Sequence, residues 1–190
     1  PTSDAISEAW IDMWEDRDIR CGIVTGTGER HFCGGHNLAP RPDVTEEERE
    51  FLRTHRAFWP LAGTVHGTKT GVDGRMGDHY PRVWKPVIAA VNGWAAGAGL
   101  YLLLASTDIR IASAENAKFK FALLSQGWLG HGPGASLLIK QLRYIDAMRI
   151  LLTDEPVLAD EALRIGLINE VVPHASLLER AEAIARHIVT

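Results

Sequence analysis

Two glycine-rich segments of the sequence place small residues where a predicted strand turns. They are residues 31–38 (HFCGGHNL) and residues 92–99 (NGWAAGAG), and the second opens into a predicted helix. Small residues let a ligand approach the backbone, and a helix N-terminus favours negative charge. Two backbone N–H groups that converge on one carbonyl oxygen form an oxyanion hole for an enolate or a tetrahedral intermediate. Each segment alone predicts only a tight turn, but together they favour such a site.

Other chemistries that glycine, serine and histidine support lack their sequence signatures. The Gly-x-Gly turns at 26–28, 97–99 and 132–134 lack the third glycine of GxGxxG, and no GxxxxGK[ST] segment occurs. Ser136 does not lie in the GxSxG pattern of a nucleophilic serine. None of the eight histidines forms HxxxH or HExxH, so the sequence predicts no metal site.

The composition is that of a globular domain with a small ligand. The 190 residues are 46% apolar, and a net charge of -4 without clustered basic residues argues against a nucleic-acid partner. The longest apolar stretch, near residues 97–105, is far shorter than the roughly 20 residues that span a bilayer. Cys21 and Cys33 have no CxxC spacing and no signal peptide precedes them, which predicts a reducing, cytoplasmic location.

Strands and helices alternate along the sequence, which predicts one α/β domain over residues 1–190 with right-handed crossovers. Predicted strands cover residues 21–25, 85–91, 109–112 and 167–172. Predicted helices cover Ile6 to Trp14, residues 45–60, 97–105, a segment from about 136, and residues 144–152, 160–165 and 177–188. The long loop at residues 61–84 is expected to lie over the active site, because a structureless insert of that length is usually functional or mobile.

The order of the motifs resembles the crotonase superfamily, the enoyl-CoA hydratase/isomerase family. The similar segments are TGTG (25–28), FCGGH (32–36), KPVIAAVNG (85–93), DIRIA (108–112) and ALRIGLINEVV (162–172). The resemblance implies a crotonase-like spiral of ββα units with a helical C-terminal region, acyl-CoA substrates, and coenzyme A as part of the substrate with no other cofactor. It places the thioester oxygen between the amides of His36 and Ala98, with Gly35 and Gly97 giving the substrate room.

The usual pair of catalytic glutamates is missing from the similar segments. The resemblance puts Tyr101 and Leu123 at their two positions. His131 falls where the chlorobenzoyl-CoA dehalogenases carry a nucleophilic aspartate, and a histidine pKa of about 6.5 suits proton transfer near neutral pH. We therefore expect His131 to be the general acid or base and Tyr101 a second proton donor. The alternative is that His131 only hydrogen-bonds its own turn.

Three functions remain open from the sequence. The first is a hydratase/isomerase-type lyase, as in fatty acid metabolism, that acts on an acyl-CoA. The second is a C–C or C–halogen hydrolase of a cyclic or aromatic acyl-CoA, for which Leu123, Leu124 and Trp128 would leave an apolar pocket. Leu123, Trp128 and Gly130 are expected to bind the substrate. The third is an acyl-CoA-binding protein without catalysis, which the loss of both glutamates would permit.

The resemblance also bears on the ends of the chain and on assembly. The family's first β-hairpin would precede Pro1, and its C-terminal helices would follow Thr190. The chain is therefore expected to be either a fragment or a protein whose faces a partner covers. Apolar stripes on the first and last helices predict an exposed patch and an oligomer, a homotrimer or hexamer.

Overall fold

The computed structural model of the chain describes residues 2–35, 84–127 and 134–190, together with residues 45 and 47. Its helices are α1 (Thr2–Glu15), α2 (Ala98–Ser106), α3 (Gly134–Gln141), α4 (Tyr144–Thr153), α5 (Ala159–Arg164) and α6 (Leu177–Val189). Its strands are β1 (Gly22–Thr25), β2 (His31–Cys33), β3 (Val87–Val91), β4 (Trp94–Ala96), β5 (Ile109–Ser113), β6 (Lys118–Lys120), β7 (Val157–Leu158) and β8 (Glu170–Val172). Two 3₁₀ turns are Leu124–Gln126 and His174–Ser176.

The strands form two four-stranded sheets, and from β1 to β6 the chain alternates between them. One sheet has the order β1-β3-β5-β8, and all its neighbours are parallel. The other has the order β2-β4-β6-β7, in which only the pair β6 and β7 is antiparallel. Each pair of consecutive strands from β1 to β6 therefore gives one strand to each sheet, and α2 follows the second pair. This arrangement confirms the predicted α/β fold with ββα units.

Both faces of strand β3 are buried, so this strand lies at the centre of the fold. Its five residues are all buried, as expected for an apolar run in a parallel sheet. Successive side chains point to opposite faces of a strand. Val87, Ala89 and Val91 accordingly join the main core cluster with α1 and α2. Ile88 and Ala90 join a smaller cluster that α6 covers with Leu177 and Ala181.

Helix α2 is a central helix, as its sequence predicts. The segment AGLYLLLAS is apolar on every side, and all of its residues except Ala105 are buried. A helix of this kind is held in place by packing around its whole circumference. Its two ends are therefore fixed relative to the strands of both sheets.

Asn92 ties the first strand pair to the second. Its side chain is 3% exposed. Its Nδ2 donates to the carbonyl oxygens of Gly26 and Gly28, and its Oδ1 accepts the N–H of Gly26 at 2.9 Å. Because every one of these polar groups is satisfied, burial of the amide is inexpensive and the turn after β1 is fixed beside the turn after β3.

Three short strands were not predicted, and one predicted strand is too long. β4, β6 and β7 have three, three and two residues, which is too few for an alternating pattern to stand out. The predicted strand at 167–172 is wrong over its first half. Only its second half, which is β8, forms a strand. The N–H groups of Leu167 and Ile168 both donate to the carbonyl of Ala162, so these residues form the turn that ends α5.

The apolar stripes of the first and last helices are partly covered. Trp10 and Met13 of α1 are buried against the main cluster, and Leu177 of α6 is buried against the smaller one. Trp14, Leu178 and Ile188 stay exposed on the same two helices. Further exposed apolar side chains lie on α3, α4 and α5, namely Ile139, Tyr144, Ile145, Leu152 and Leu163. No helix in the described ranges is long and apolar enough to cross a membrane. The predicted helix over 45–60 and the loop over 61–84 fall almost wholly outside those ranges.

Candidate active site

The end of β2 and the start of α2 lie in direct contact. A Cβ added to Gly35 would lie 2.9 Å from the backbone nitrogen of Ala98 and 2.9 Å from the carbonyl oxygen of Ala96. Gly35 also has a φ of 87°, a left-handed conformation that costs glycine little. Only glycine lets the chain leave β2 this close to the Ala98 amide. The two glycine-rich segments predicted from the sequence are therefore brought together.

The N-terminus of α2 is turned into this contact without a side-chain cap. Gly97 is the N-cap residue, with φ 53° and ψ -123°, and as a glycine it has no side chain of its own to make a capping hydrogen bond. The first N–H groups of a helix have no partner within the helix, and the helix dipole gives this end a partial positive charge. Ala98 is the first residue of the helix, so its N–H belongs to this set. An oxygen that carries negative charge is stabilised at such a position.

The second predicted amide donor lies next to the described residues. His36 follows Gly35 in the chain, and it lies outside the ranges that the structure describes, as do Trp128, Gly130 and His131. The structure thus describes Gly35, Gly97 and Ala98 of the predicted oxyanion hole. The roles of His36 and His131 stay predictions.

Tyr101 and Leu123 are both buried in the main core cluster, with 1% and 3% exposure. The Gly97 N–H donates to the carbonyl oxygen of Lys120 at 3.1 Å, which joins the N-terminus of α2 to the end of β6. The rings of Tyr101 and Phe121 are 5.4 Å apart at an interplanar angle of 59°. The two positions expected for a glutamate pair therefore lie in the core, where Tyr101, Phe121 and Leu123 are called the apolar wall.

Asp154 anchors the segment that carries Leu123, and sequence reasoning missed it. Its carboxylate is buried, and its Oδ1 accepts the N–H of Ala122 at 2.6 Å while its Oδ2 accepts the N–H of Ser125 at 2.8 Å. Asp154 ends α4 in a left-handed conformation with φ 49°. An aspartate after a predicted helix does signal such an end. The sequence carries no sign that its carboxylate reaches a loop some thirty residues earlier.

The opposite end of α2 borders a polar cavity of about 420 Å³, with Leu104, Thr107, Arg110, Gln141 and Asn169 among its lining residues. The buried Arg110 guanidinium donates to the carbonyl oxygens of Leu104, Thr107 and Leu167. Burial lowers the pKa of Arg110 to about 10, although the nearby Asp108 carboxylate acts in the other direction. None of the predicted site residues lines this cavity, so it is separate from the contact between Gly35 and Ala98.

Within the described part of the chain, no group of three or more His, Cys, Asp or Glu side chains is placed to hold a metal ion. Independently of that, the N-terminus of α2 offers a hydrogen-bond donor for an oxygen.

Comparison with known proteins gives a consistent result. Residues 75–190 match the family model described as enoyl-CoA hydratase/isomerase. The (E)-benzylidenesuccinyl-CoA hydratase of Thauera aromatica is 35% identical over 186 residues, which cover 97% of this chain and 64% of that protein. The short-chain-enoyl-CoA hydratase of Clostridium acetobutylicum is 33% identical over 180 residues, covering 94% of this chain and 61% of that protein.

Solved structures agree with the sequence comparison. The crystal structure of carnitinyl-CoA hydratase from Mycobacterium avium superimposes with a TM-score of 0.74 at 31% identity, covering 98% of this chain and 64% of that one. The chain therefore spans less than two thirds of the length of the relatives it matches.

Proposed function

Because the chain belongs to the enoyl-CoA hydratase/isomerase family, we propose that it processes an acyl-CoA thioester as a hydratase/isomerase-type lyase. The thioester oxygen binds at the amides of Ala98 and His36. The observation that carries this proposal is the 2.9 Å separation between the Ala98 nitrogen and the place that a Gly35 Cβ would occupy. Only a residue without a Cβ fits there, and this close approach is needed to bring the next amide, that of His36, beside the Ala98 amide.

The two amides act on charge that develops during the reaction. When a nucleophile adds to the β-carbon of an α,β-unsaturated thioester, the electron pair moves to the thioester oxygen and gives an enolate. Amides that are already oriented stabilise that oxygen without reorganising, and removal of one such donor typically costs about 2.7–4 kcal/mol in the transition state. The N-terminus of α2 adds its dipole at the same place.

Groups other than a pair of glutamates transfer the protons in this proposal. In our proposal His131 takes a proton from water as the water oxygen bonds to the β-carbon, and a proton is then delivered to the α-carbon, which completes the addition of one water. Tyr101 is the proposed second proton donor, because it lies one turn into α2 from Ala98. Its burial means that it can act only on a substrate that reaches the apolar wall.

We propose an aromatic acyl group. Leu123 and Phe121 are uncharged members of the main core cluster, and the carbonyl oxygen of Lys120, next to Phe121, accepts the N–H of Gly97 at the start of α2. One relative is named for (E)-benzylidenesuccinyl-CoA, an acyl-CoA with an aromatic ring. That acyl group also carries a free carboxylate, so the two facts support an aromatic unsaturated acyl-CoA as the substrate class.

We also propose a homotrimer or hexamer in the cytoplasm. Exposed apolar side chains such as Tyr144, Ile145 and Leu152 support an assembly that covers them. Cys21 and Cys33 lie twelve residues apart without CxxC spacing, which supports a reducing compartment. Sedimentation at micromolar concentration tests the assembly, and a monomer would contradict it.

The test is turnover on a panel of linear unsaturated, β-keto cyclic and aromatic acyl-CoA thioesters, followed by mass spectrometry with binding measured on the same samples. We expect a product heavier by one water with the thioester intact. Fragmentation separates simple hydration from opening of a ring by C–C hydrolysis. Tight binding with every thioester unchanged would contradict the proposed lyase and favour a binding protein.

A further inference from the structure

The segment between β6 and the 3₁₀ turn is held from two sides. On one side the carbonyl oxygen of Lys120 accepts the N–H of Gly97 at 3.1 Å. On the other side the Asp154 carboxylate accepts the N–H groups of Ala122 and Ser125, at 2.6 and 2.8 Å. Leu123 lies between the two amides that Asp154 binds, so its backbone is fixed on both flanks.

Ala122 adopts a conformation that needs such an anchor. Its φ is 56°, in the left-handed region that residues with a Cβ rarely occupy. Strained backbone of this kind persists only where the surrounding structure determines it. The short contact from the Ala122 N–H to a buried carboxylate is the interaction that does so.

The anchor itself is rigid. Asp154 is 4% exposed, and both of its carboxylate oxygens are engaged. Its backbone N–H donates to the carbonyl of Ile150 at 3.1 Å, which fixes the residue to the end of α4. A displacement of α4 therefore carries the segment with it, whereas the exposed neighbour Glu155 has no such role in the described contacts.

We propose that Asp154 is a positioning residue for the reaction: its carboxylate sets the place of Leu123 beside the N-terminus of α2 and thereby the seat of the acyl group. This inference rests on the proposed function, because it assigns Asp154 to the acyl side of the same site. Asp154 does not touch the substrate; it acts through Leu123.

The experiment compares D154G, D154N and the control E155Q with the unaltered chain. Glycine suits the φ of 49° at residue 154, so D154G removes the carboxylate without adding backbone strain there. D154N keeps the size of the side chain and one acceptor oxygen, which makes it the variant most certain to fold. E155Q removes an exposed carboxylate one residue away. Each protein is assayed for kcat and KM with the acyl-CoA that the unaltered chain converts, for the Kd of coenzyme A without an acyl group, and for Tm.

We expect D154G to lose about 10²-fold in kcat/KM, because a misplacement of about 1 Å at a reacting group has that effect. The kcat/KM of D154N should lie between those of D154G and the unaltered chain. The kcat/KM of E155Q should equal that of the unaltered chain. The Kd of coenzyme A should change by less than about twofold, since only the acyl side moves. In the L123A background the loss caused by D154G should largely vanish, because two residues that act as one unit are not additive.

Other outcomes overturn the inference in distinguishable ways. A D154G or D154N protein with lower Tm but unchanged kcat/KM would leave Asp154 with a structural role only. An equal effect of D154G with and without Leu123 would show that it does not act through that side chain. If the unaltered chain converts none of the thioesters, the proposed function fails first and this inference fails with it.

Discussion

The two ends of α2 solve the same physical problem in opposite ways. Each end of a helix leaves backbone groups without a partner inside the helix. At the C-terminal end, Gln141 Nε2 donates to the Leu104 carbonyl at 2.9 Å, and the Arg110 guanidinium donates to that carbonyl and its neighbours. At the N-terminal end, Gly97 provides no side-chain cap and Gly35 lies against the Ala98 amide.

The difference supports our proposal that the N-terminal end of α2 binds the ligand. Side chains of this protein satisfy the carbonyl groups at the C-terminal end, so that end is structural. The N-terminal end keeps glycine where serine, threonine or aspartate would cap a helix. A buried central helix with one end left to glycine is the arrangement expected where a substrate oxygen completes the hydrogen bonding.

The strongest test of this contrast is Gly35→Ala. A methyl group at residue 35 would lie 2.9 Å from the Ala98 nitrogen, and the φ of 87° there is strained for alanine. The amides of residue 36 and Ala98 must therefore move apart. We expect a loss of about 10² to 10³ in kcat/KM, the range for removal of one oxyanion-hole donor. Gly34→Ala is the matched control, because a Cβ there has no atom of the described residues within 4 Å. Equal activity of the two variants would contradict the role of Gly35.

A smaller loss is expected from Tyr101→Phe. The variant removes the hydroxyl group and keeps the ring that packs on Phe121. If Tyr101 donates a proton, the kcat of Tyr101→Phe should be about 10²-fold lower, which is at the low end for general acid catalysis. Its KM and Tm should be unchanged. The control Phe121→Leu keeps the hydroxyl but disturbs the ring pair, so it should lower Tm more than kcat. Full kcat in Tyr101→Phe would assign Tyr101 to packing alone.

At the structural end of α2, Arg110→Met should lower the free energy of unfolding by about 2 kcal/mol. Buried carbonyl oxygens would lose their donor at a cost of about 1–3 kcal/mol each. Relief of the desolvated charge, which burial already disfavours, offsets part of that cost. Denaturant unfolding measures the change, with the exposed Arg186→Met as control. The kcat per folded molecule should be unchanged, and a selective loss of activity would break the contrast between the two ends.

The smallest effect is expected from Gln141→Ala. One hydrogen bond to the Leu104 carbonyl is lost, but Arg110 Nη2 still donates to the same oxygen. The free energy of unfolding should fall by about 0.5–1 kcal/mol. In the Arg110→Met background the loss should be larger, because that carbonyl then has neither donor. Additive losses would show that the two side chains do not share one acceptor.

The sequence predicts the functional end of α2 better than the structural end. Glycines at 35 and 97 and an apolar segment after them leave few alternatives, since a turn and a buried helix have strong local signatures. Arg110 looks like a polar residue in a strand. Two of its carbonyl partners, Leu104 and Thr107, lie within six residues of it, and the third, Leu167, lies 57 residues away. The contact with Leu167 depends on packing between distant segments and has no local pattern.

The same limit explains the other differences. β6 has three residues and β7 two, and each is held by pairing with a strand far away in sequence. Asp154 looks like an ordinary helix end, and its bonds to Ala122 and Ser125 follow only from the packing of α4 beside the 3₁₀ turn. The turns at Gly35 and Gly97 were predictable from local sequence, and the long-range hydrogen bonds of Asp154 were not.

The central claim is that a thioester oxygen binds the amide at the uncapped end of α2. The most direct test is isotope-edited infrared spectroscopy of a saturated acyl-CoA, ¹³C-labelled at the thioester carbonyl, bound to the unaltered chain and to Gly35→Ala and Arg110→Met. We predict that the carbonyl stretch shifts to lower frequency on binding, that Gly35→Ala abolishes this shift, and that Arg110→Met keeps it. A carbonyl frequency equal to that of the free thioester, or a shift that survives in Gly35→Ala, would contradict the account.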